Sequence, residues 1–168
     1  NTVTGAGNIV ENNRGENWLN ESDPEDLVSM YMSSGTSSSP IYVRNNTFRG
    51  GGPSLSGGGI NAGDHGGNYI SVENNRLVDP GNYGIAITGG NNNVLHSNRV
   101  FSVFHIWNNA GIYIWAQAGA TCSNATYTNN HVNWPYKFGG QNNYYNGKNC
   151  GIVKDSGNVY NETLSVMM

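Results

Sequence analysis

Hydrophobic and polar positions alternate along several short stretches of this chain, and most of these stretches run into a pair of asparagines. The clearest stretch is residues 70–77, which read ISVENNRL. Drifted copies lie at 41–48, 9–14, 94–100, 127–132 and, as a last trace, 159–161. Alternation of this kind predicts half-buried strands, and one unit repeated along a whole chain predicts a solenoid.

A second repeated element, a glycine followed by an isoleucine, comes after the asparagine copies and gives each coil at least two strands. It lies at Gly59, Gly84, Gly111 and Gly151. Residues 23–26 (DPED) have the form of a helix start. However, 27–32 follows its asparagine pair at the same distance as Ile60, and this register favours a strand.

The distance between successive second asparagines is irregular, at 33, 29, 23 and 32 residues. Loops of variable length between stacked coils explain this, and they predict a parallel β-helix in which like residues stack about 4.8 Å apart. The residues expected to point inward are Ile41, Val43, Phe48, Ile70, Val72 and Leu77. Asparagine tolerates left-handed backbone and its amide bonds to the amide of the next coil, so we predict asparagine ladders at the corners.

Composition agrees with this interpretation and limits the partners. Only 11% of the 168 residues are charged and the net charge is −3, so there is no basic surface of the kind nucleic acid requires. No apolar run is long enough to span a bilayer, and we expect no membrane insertion. The chain also lacks a starting Met and a signal peptide, so we interpret it as mature or excised.

The two cysteines, Cys122 and Cys150, are expected to form one disulfide that closes a loop of about 29 residues. This predicts an oxidising location, extracellular or at the cell surface. The alternative is a pair of buried thiols in a cytoplasmic protein.

The repeated pattern Ile-x-Val-x-Asn-Asn-x-hydrophobic resembles the right-handed parallel β-helix proteins of the pectate-lyase-like superfamily. More narrowly, 26–31 (DLVSMY), 49–53 (RGGGP) and 80–86 (PGNYGIA) are similar to secreted bacterial β-helix proteins without an assigned activity. The resemblance implies a right-handed helix and a carbohydrate partner, because superfamily members with assigned roles are mostly polysaccharide lyases, hydrolases and epimerases. The superfamily's epimerase and polygalacturonase signatures are not present, so no catalytic residue is carried over.

The fold class predicted is therefore all-β: a right-handed parallel β-helix of about five to six coils. It forms one domain over 1–168, or the C-terminal part of a longer β-helix, with an aromatic loop insertion at 132–150.

Two rows of outward side chains are expected on stacked strands. One row reads Glu11, Arg44, Glu73, His96 and Thr128, in which alternating charge avoids repulsion between coils. The other reads Arg14, Thr47, Arg76, Arg99 and His131. The second row, with Arg76 and Arg99, is a candidate for binding an anionic polysaccharide, unless the nearby glutamates neutralise it.

Aromatic side chains give another carbohydrate-binding candidate. Tyr113 and Trp115 alternate with isoleucines and should point outward, and Trp134 lies in the aromatic segment that follows. Exposed rings stack on sugars, whereas the alternative is that the 132–150 segment folds over Tyr113 and Trp115 as a lid or end cap.

For catalysis, the candidates are Asp64, His65 and Arg49, with Asp26 one coil earlier and Asp79 one later. Three aspartates brought together across coils would alternatively hold calcium. Residues beside so many glycines also serve simply as turn formers. No metal or cofactor motif is present, so we expect no cofactor.

Two functions remain open. The first is a secreted or cell-surface β-helix with a structural or carbohydrate-binding role, which self-associates head to tail through an uncapped first coil or continues into coils before Asn1. The second is the C-terminal portion of a polysaccharide-degrading or polysaccharide-modifying enzyme.

Overall fold

Nineteen short strands and no helix occur in residues 2–163, the part of the chain that the computed structural model describes. The strands wind as a parallel β-solenoid of about five turns. The prediction of an all-β solenoid is therefore confirmed. Within the described range no helix is long and apolar enough to cross a membrane.

The strands follow one another in the same order in every coil. The first coil holds β1 (Ile9–Glu11), β2 (Arg14–Glu16) and β3 (Val28–Met30), and the second holds β4 (Ile41–Arg44), β5 (Thr47–Arg49) and β6 (Ile60–Ala62). The third holds β7 (Ile70–Glu73), β8 (Arg76–Val78) and β9 (Tyr83–Ile87). The fourth holds β10 (Gly90–Asn91), β11 (Val94–His96), β12 (Arg99–Phe101) and β13 (Ala110–Ile114). The fifth holds β14 (Cys122–Ser123), β15 (Thr126–Thr128), β16 (His131–Asn133) and β17 (Tyr144–Asn146), and β18 (Lys154–Ser156) and β19 (Val159–Tyr160) begin a sixth.

Stacking of these coils produces three long parallel sheets. The first sheet runs β1-β4-β7-β11-β15-β18, the second β2-β5-β8-β12-β16-β19, and the third β3-β6-β9-β13-β17. A short fourth sheet pairs β10 with β14. The strand at 27–32 is β3 of the third sheet, so the strand interpretation of this segment is confirmed over the helix start.

The core is a column of aliphatic side chains between the sheets. Five of the six residues predicted to point inward are at most 1% exposed, and Phe48 is partly buried and packs against them. Equivalent positions stack in register, as in Ile41 on Ile70 and Ile60 on Ile85. Burial of this column supplies the main hydrophobic stabilisation, because each fully buried aliphatic side chain contributes about 1.5–3 kcal/mol.

The asparagine pairs form the turn between the first and second sheets, and the two members have different roles. The first member adopts left-handed backbone, with φ of 54° at Asn74 and 56° at Asn45. The second member is the rung of a ladder: the side-chain amide of Asn46 donates to Oδ1 of Asn75 at 2.9 Å, and the backbone N–H of Asn46 donates to the same oxygen at 3.0 Å. The rungs are Asn13, Asn46, Asn75, Asn98, Asn130 and Asn158. The predicted ladder is thus confirmed.

Two details of the predicted repeat are wrong. The sixth rung is Asn158, preceded by Gly157 at φ 69°, so the last copy begins before the 159–161 trace. The fourth glycine-isoleucine copy is also misplaced, because it is Tyr144 in β17 that stacks on Ile112, whereas Gly151 lies in the connection to β18.

The predicted loop insertion at 132–150 belongs largely to the fifth coil. It contains the end of β16 and all of β17, joined by a short hairpin bridge between Pro135 and Gln141. The disulfide between Cys122 and Cys150 is formed and ties the start of this coil to the segment after β17. Such a bond is typical of proteins from oxidising compartments.

Candidate functional site

The outward face of the third sheet carries a row of side chains that changes from small and polar to aromatic along the solenoid axis. Reading from the first coil to the fifth, the row is Ser29, Asn61, Ala86, Tyr113 and Tyr145. Each member alternates with a buried or partly buried residue that packs into the core, which fixes its outward direction. Four coil spacings separate the ends of the row, roughly 19 Å.

The aromatic end of this row is a stack of rings. The ring of Tyr113 lies parallel to those of Tyr83 and Tyr145, with centroids 6.4 Å and 5.4 Å away. Trp115 meets both Tyr113 and Tyr145 edge-on at 5.9 Å. Tyr113 is only 8% exposed, whereas Trp115 and Tyr145 are each 40% exposed. Trp115 and Tyr145 therefore present ring surface to solvent, supported by a buried ring beneath.

A cavity of about 210 Å³ adjoins the stack on the side of the third and second coils. Its lining combines aromatic rings with amide and hydroxyl groups: Leu55, Ser56, Asn61, Asn82, Tyr83, Thr88, Asn109, Tyr113 and Gln117. Gln117 bonds the hydroxyl of Tyr113 and Thr88 donates to Oδ1 of Asn61 at 2.7 Å. Two pairs of these polar groups are thus held in place by each other.

Carboxyl groups lie at the other side of this cavity. The hydroxyl of Tyr83 donates to Asp26 at 2.5 Å, and the backbone N–H of Gly58 donates to the same carboxyl oxygen at 2.9 Å. Burial raises the pKa of Asp26 despite these two hydrogen bonds, and the nearby carboxyls of Asp64 and Glu25 raise it further. The carboxyl group of Asp26, which holds its proton more tightly than usual, thus lies beside the cavity.

The predicted catalytic group of Asp64, His65 and Arg49 is not assembled. Asp64 follows β6 and accepts a hydrogen bond from Ser29 at 3.0 Å, so it lies on the third sheet near Asp26. Arg49 is in the second sheet, where it pairs with Glu16 at 3.5 Å. His65 has left-handed backbone, and its ring packs 5.2 Å from that of Tyr31. It therefore acts as a turn residue, as the alternative interpretation predicted.

Asp79 is separate from the other two aspartates. It accepts hydrogen bonds from Ser102 at 3.1 Å and from the N–H of Val103 at 2.7 Å, and His105 lies 3.6 Å away. Burial opposes ionisation of Asp79, but these contacts outweigh it and lower its pKa. Across residues 2–163 no three acidic, histidine or cysteine side chains come together as metal ligands, so the calcium arrangement drawn from Asp26, Asp64 and Asp79 is wrong.

The two predicted outward rows are present and in register. Arg44 forms an ion pair with Glu11 at 2.7 Å in the first sheet, and Glu73 accepts a hydrogen bond from the hydroxyl of Ser71. In the second-sheet row Arg76 stacks directly on Arg99, which stacks on His131, and these three line a shallow hollow of about 430 Å³. His131 is bonded to Glu162 at 2.5 Å.

The predicted carbohydrate-binding residues are thus divided between two faces. Tyr113 and Trp115 lie on the third sheet, and Arg76 and Arg99 on the second. Trp134 is completely buried in the core, so its inclusion in a binding surface is wrong. The amides of the cavity were not predicted, although Asn82 and Asn109 share a sequence signal: each precedes a glycine-isoleucine element by two residues.

Comparison with known proteins identifies no relative. No family model matches the chain, no curated protein matches it, and no solved structure does. Assignment of a function therefore rests on the chemistry of the protein's own surface.

Proposed function

We propose that this protein is an extracellular or cell-surface β-solenoid of the pectate-lyase-like type that binds a glycan along the outward face of its third sheet. The observation that carries this proposal is the ring stack at Tyr113, with Trp115 and Tyr145 exposed above it. The disulfide favours the extracellular location.

The arrangement suits a sugar for two reasons. Aromatic rings present apolar area with little loss of conformational freedom, and the apolar face of a pyranose stacks on such a surface. The amide and hydroxyl groups of the adjoining cavity supply directional hydrogen bonds to sugar hydroxyls. A platform beside a polar cavity thus provides both contact area and orientation.

Binding to a glycan array tests the proposal. The double substitution Trp115→Ala and Tyr145→Ala should abolish glycan binding, because it removes the exposed rings. Phe138→Ala is the matched control, since Phe138 is 79% exposed and lies on another part of the fifth coil. If the double variant binds like the unchanged protein, the platform is not the site. A loss caused instead by Arg76→Gln with Arg99→Gln would locate the site on the second sheet.

A catalytic role is the second candidate, and the proximity of Asp26 and Asp64 favours it. Glycoside cleavage commonly uses two carboxyl groups, one of them kept protonated by its surroundings. Burial raises the pKa of Asp26, which is the direction that such an acid requires. Incubation with a panel of polysaccharides, followed by assay of reducing ends and unsaturated products, tests it. Turnover that persists in the Asp26→Asn variant would contradict this assignment.

Self-association through the first coil stays a prediction. Within the described residues β1, β2 and β3 each have a strand partner on one side only, and Ile9, Trp18 and Leu19 nearby are about half exposed or more. A further coil, from earlier residues or from a second copy, would cover this surface. Sedimentation and negative-stain microscopy at high concentration test the second-copy alternative, which strictly single particles would contradict.

A further inference from the structure

The amide groups of the third-sheet cavity have unused hydrogen-bonding capacity. Asn61 is 8% exposed, and within residues 2–163 its Nδ2 has no hydrogen-bond acceptor, while its Oδ1 is taken by Thr88. Asn82 is 3% exposed and donates through Nδ2 to the carbonyl of Trp107 at 2.7 Å, which leaves its Oδ1 without a donor in the same range. Both side chains are largely buried, but these two atoms open onto the cavity and are available to hydrogen-bond a ligand there.

Asn109 extends this set. It lines the same cavity, and its side-chain amide makes no hydrogen bond to any described residue. Its backbone, in contrast, is held by the N–H that it donates to Asn82 at 2.7 Å. The cavity thus offers one amide donor, one amide acceptor and, at Asn109, a side-chain amide that can both donate and accept. These groups lie beside the rings of Tyr83 and Tyr113. This is the lining expected around a ring that carries hydroxyl groups.

The charged groups that act on the wall of the cavity at Tyr83 are carboxyls. None of its nine lining residues is Lys, Arg or His. Tyr83, in its wall, experiences the carboxyls of Asp26, Asp64 and Glu25, and Glu25 accepts hydrogen bonds from Ser54 at 3.0 Å and from Ser56 at the cavity rim. A carboxylate on a ligand would meet this negative field without a cation to balance it.

We propose that the cavity takes one uncharged hexopyranose unit and discriminates against uronic acids, so that the glycan along the third sheet is a neutral polysaccharide. This inference rests on the proposed glycan-binding function and specifies its substrate class. It opposes the uronan that the arginine row of the second sheet would suit.

Titration calorimetry with matched oligosaccharides tests the proposal. The ligands are uncharged gluco-, manno- and galacto-oligosaccharides and the uronic acid counterpart of each. We expect one neutral series to bind and its uronic acid counterpart to bind at least about tenfold more weakly, because of the facing carboxyls. Asp64→Asn with Glu25→Gln should narrow that difference. Asp155→Asn is the control, since Asp155 lies in the first sheet.

Asn109→Ala probes the cavity itself. Because its side chain bonds to no described residue, the substitution should leave the unfolding temperature unchanged while weakening neutral-glycan binding roughly 3- to 10-fold, the loss of one hydrogen bond.

The outcomes separate this inference from the function on which it rests. If neutral glycans bind and the binding depends on Trp115 and Tyr145 but not on Asn109, the function stands and the cavity assignment fails. If the uronic acid binds as tightly as its neutral counterpart, the discrimination is disproved. Absence of binding by every ligand would overturn both.

Discussion

Asn75 and Asn98 lie one above the other at the same corner of adjacent coils, and Oδ1 of Asn98 accepts both the side-chain amide of Asn75 at 3.0 Å and its backbone N–H at 3.1 Å. Both residues are completely buried. One side-chain oxygen therefore satisfies two donors of the preceding coil, in a place that water does not reach.

The asparagine pair should respond unequally to the same substitution. Asn75→Gly removes the acceptor for two donors of Asn46 and should lower the free energy of unfolding by about 3 kcal/mol or more, since buried donors are left unsatisfied. Asn74→Gly should change it by less than about 1 kcal/mol, because Asn74 is exposed and its φ of 54° suits glycine. Denaturant unfolding measures both. Equal losses would show that the ladder is not what stabilises the corner.

Gly84 should not tolerate a side chain. A Cβ at this position would lie 2.1 Å from Cγ1 of Val100 and 2.3 Å from the carbonyl oxygen of Gly111, so Gly84→Ala must push the second and third sheets apart. We expect a loss of at least about 3 kcal/mol or failure to fold. Gly119→Ala is the comparison: it meets no atom within 4 Å and has only the cost of a φ of 73°, about 1 kcal/mol. Thermal unfolding measures both variants. A smaller loss of stability in Gly84→Ala than in Gly119→Ala would contradict this prediction.

Asp26 and Asp79 should respond to pH in opposite directions. The folded state raises the pKa of Asp26 above its ordinary 3.8, so the folded protein binds the extra proton and its stability falls as pH rises through the window above 3.8. The folded state lowers the pKa of Asp79, so its contribution is present above 3.8 and is lost as pH falls through the lower folded pKa.

Two isosteric variants measure these contributions between about pH 3 and pH 7. Asp26→Asn should be more stable than the unchanged protein near neutral pH and lose that advantage in acid. Asp79→Asn should be less stable near neutral pH, with a deficit that shrinks in acid. Differences of the same sign for both variants would contradict the assigned environments.

The disulfide should stabilise the fifth coil. Cys122 and Cys150 are 28 residues apart in sequence, and closing such a loop contributes about 3 to 4 kcal/mol on chain-entropy grounds. Reductant should therefore lower the unfolding temperature of the native protein but not that of the Cys122→Ala, Cys150→Ala variant. Titration of free thiols before reduction should find none, and two reactive thiols there would exclude the bond.

The architecture was predictable because each asparagine pair carries two physical signals at once. The residue in left-handed backbone marks the turn, and the buried amide marks the rung, as Asn74 and Asn75 show. Where a signal was shared with another element, the prediction failed. Gly151 and Ile152 are of the same residue types as Gly111 and Ile112, but the strand that stacks on Ile112 lies at Tyr144, before the disulfide-bonded Cys150.

The candidate site was predictable only in part. Alternation with isoleucines placed Tyr113 and Trp115 on the outward face, but it said nothing about Trp134, which occupies space in the core beside β16. Asp64 was singled out because of its chemistry, yet Asp26, the carboxyl on which it acts, comes from a coil whose loop length differs. Distances between residues of different coils depend on the conformation of each loop, and the repeat pattern does not predict loop conformation.

Each rung of the asparagine ladder also points in one direction. The amide of Asn13 donates to Asn46, and each later rung as far as Asn130 repeats this, so the side-chain dipoles align along the axis and polarise one another. At the first coil, Oδ1 of Asn13 has no donor among the described residues. At the sixth, the amide of Asn158 donates to Tyr127 and Asp155 instead. The solenoid therefore has electrostatic polarity: a coil that extends the ladder from the first coil must bring amide donors, and two first coils brought together would set oxygen against oxygen.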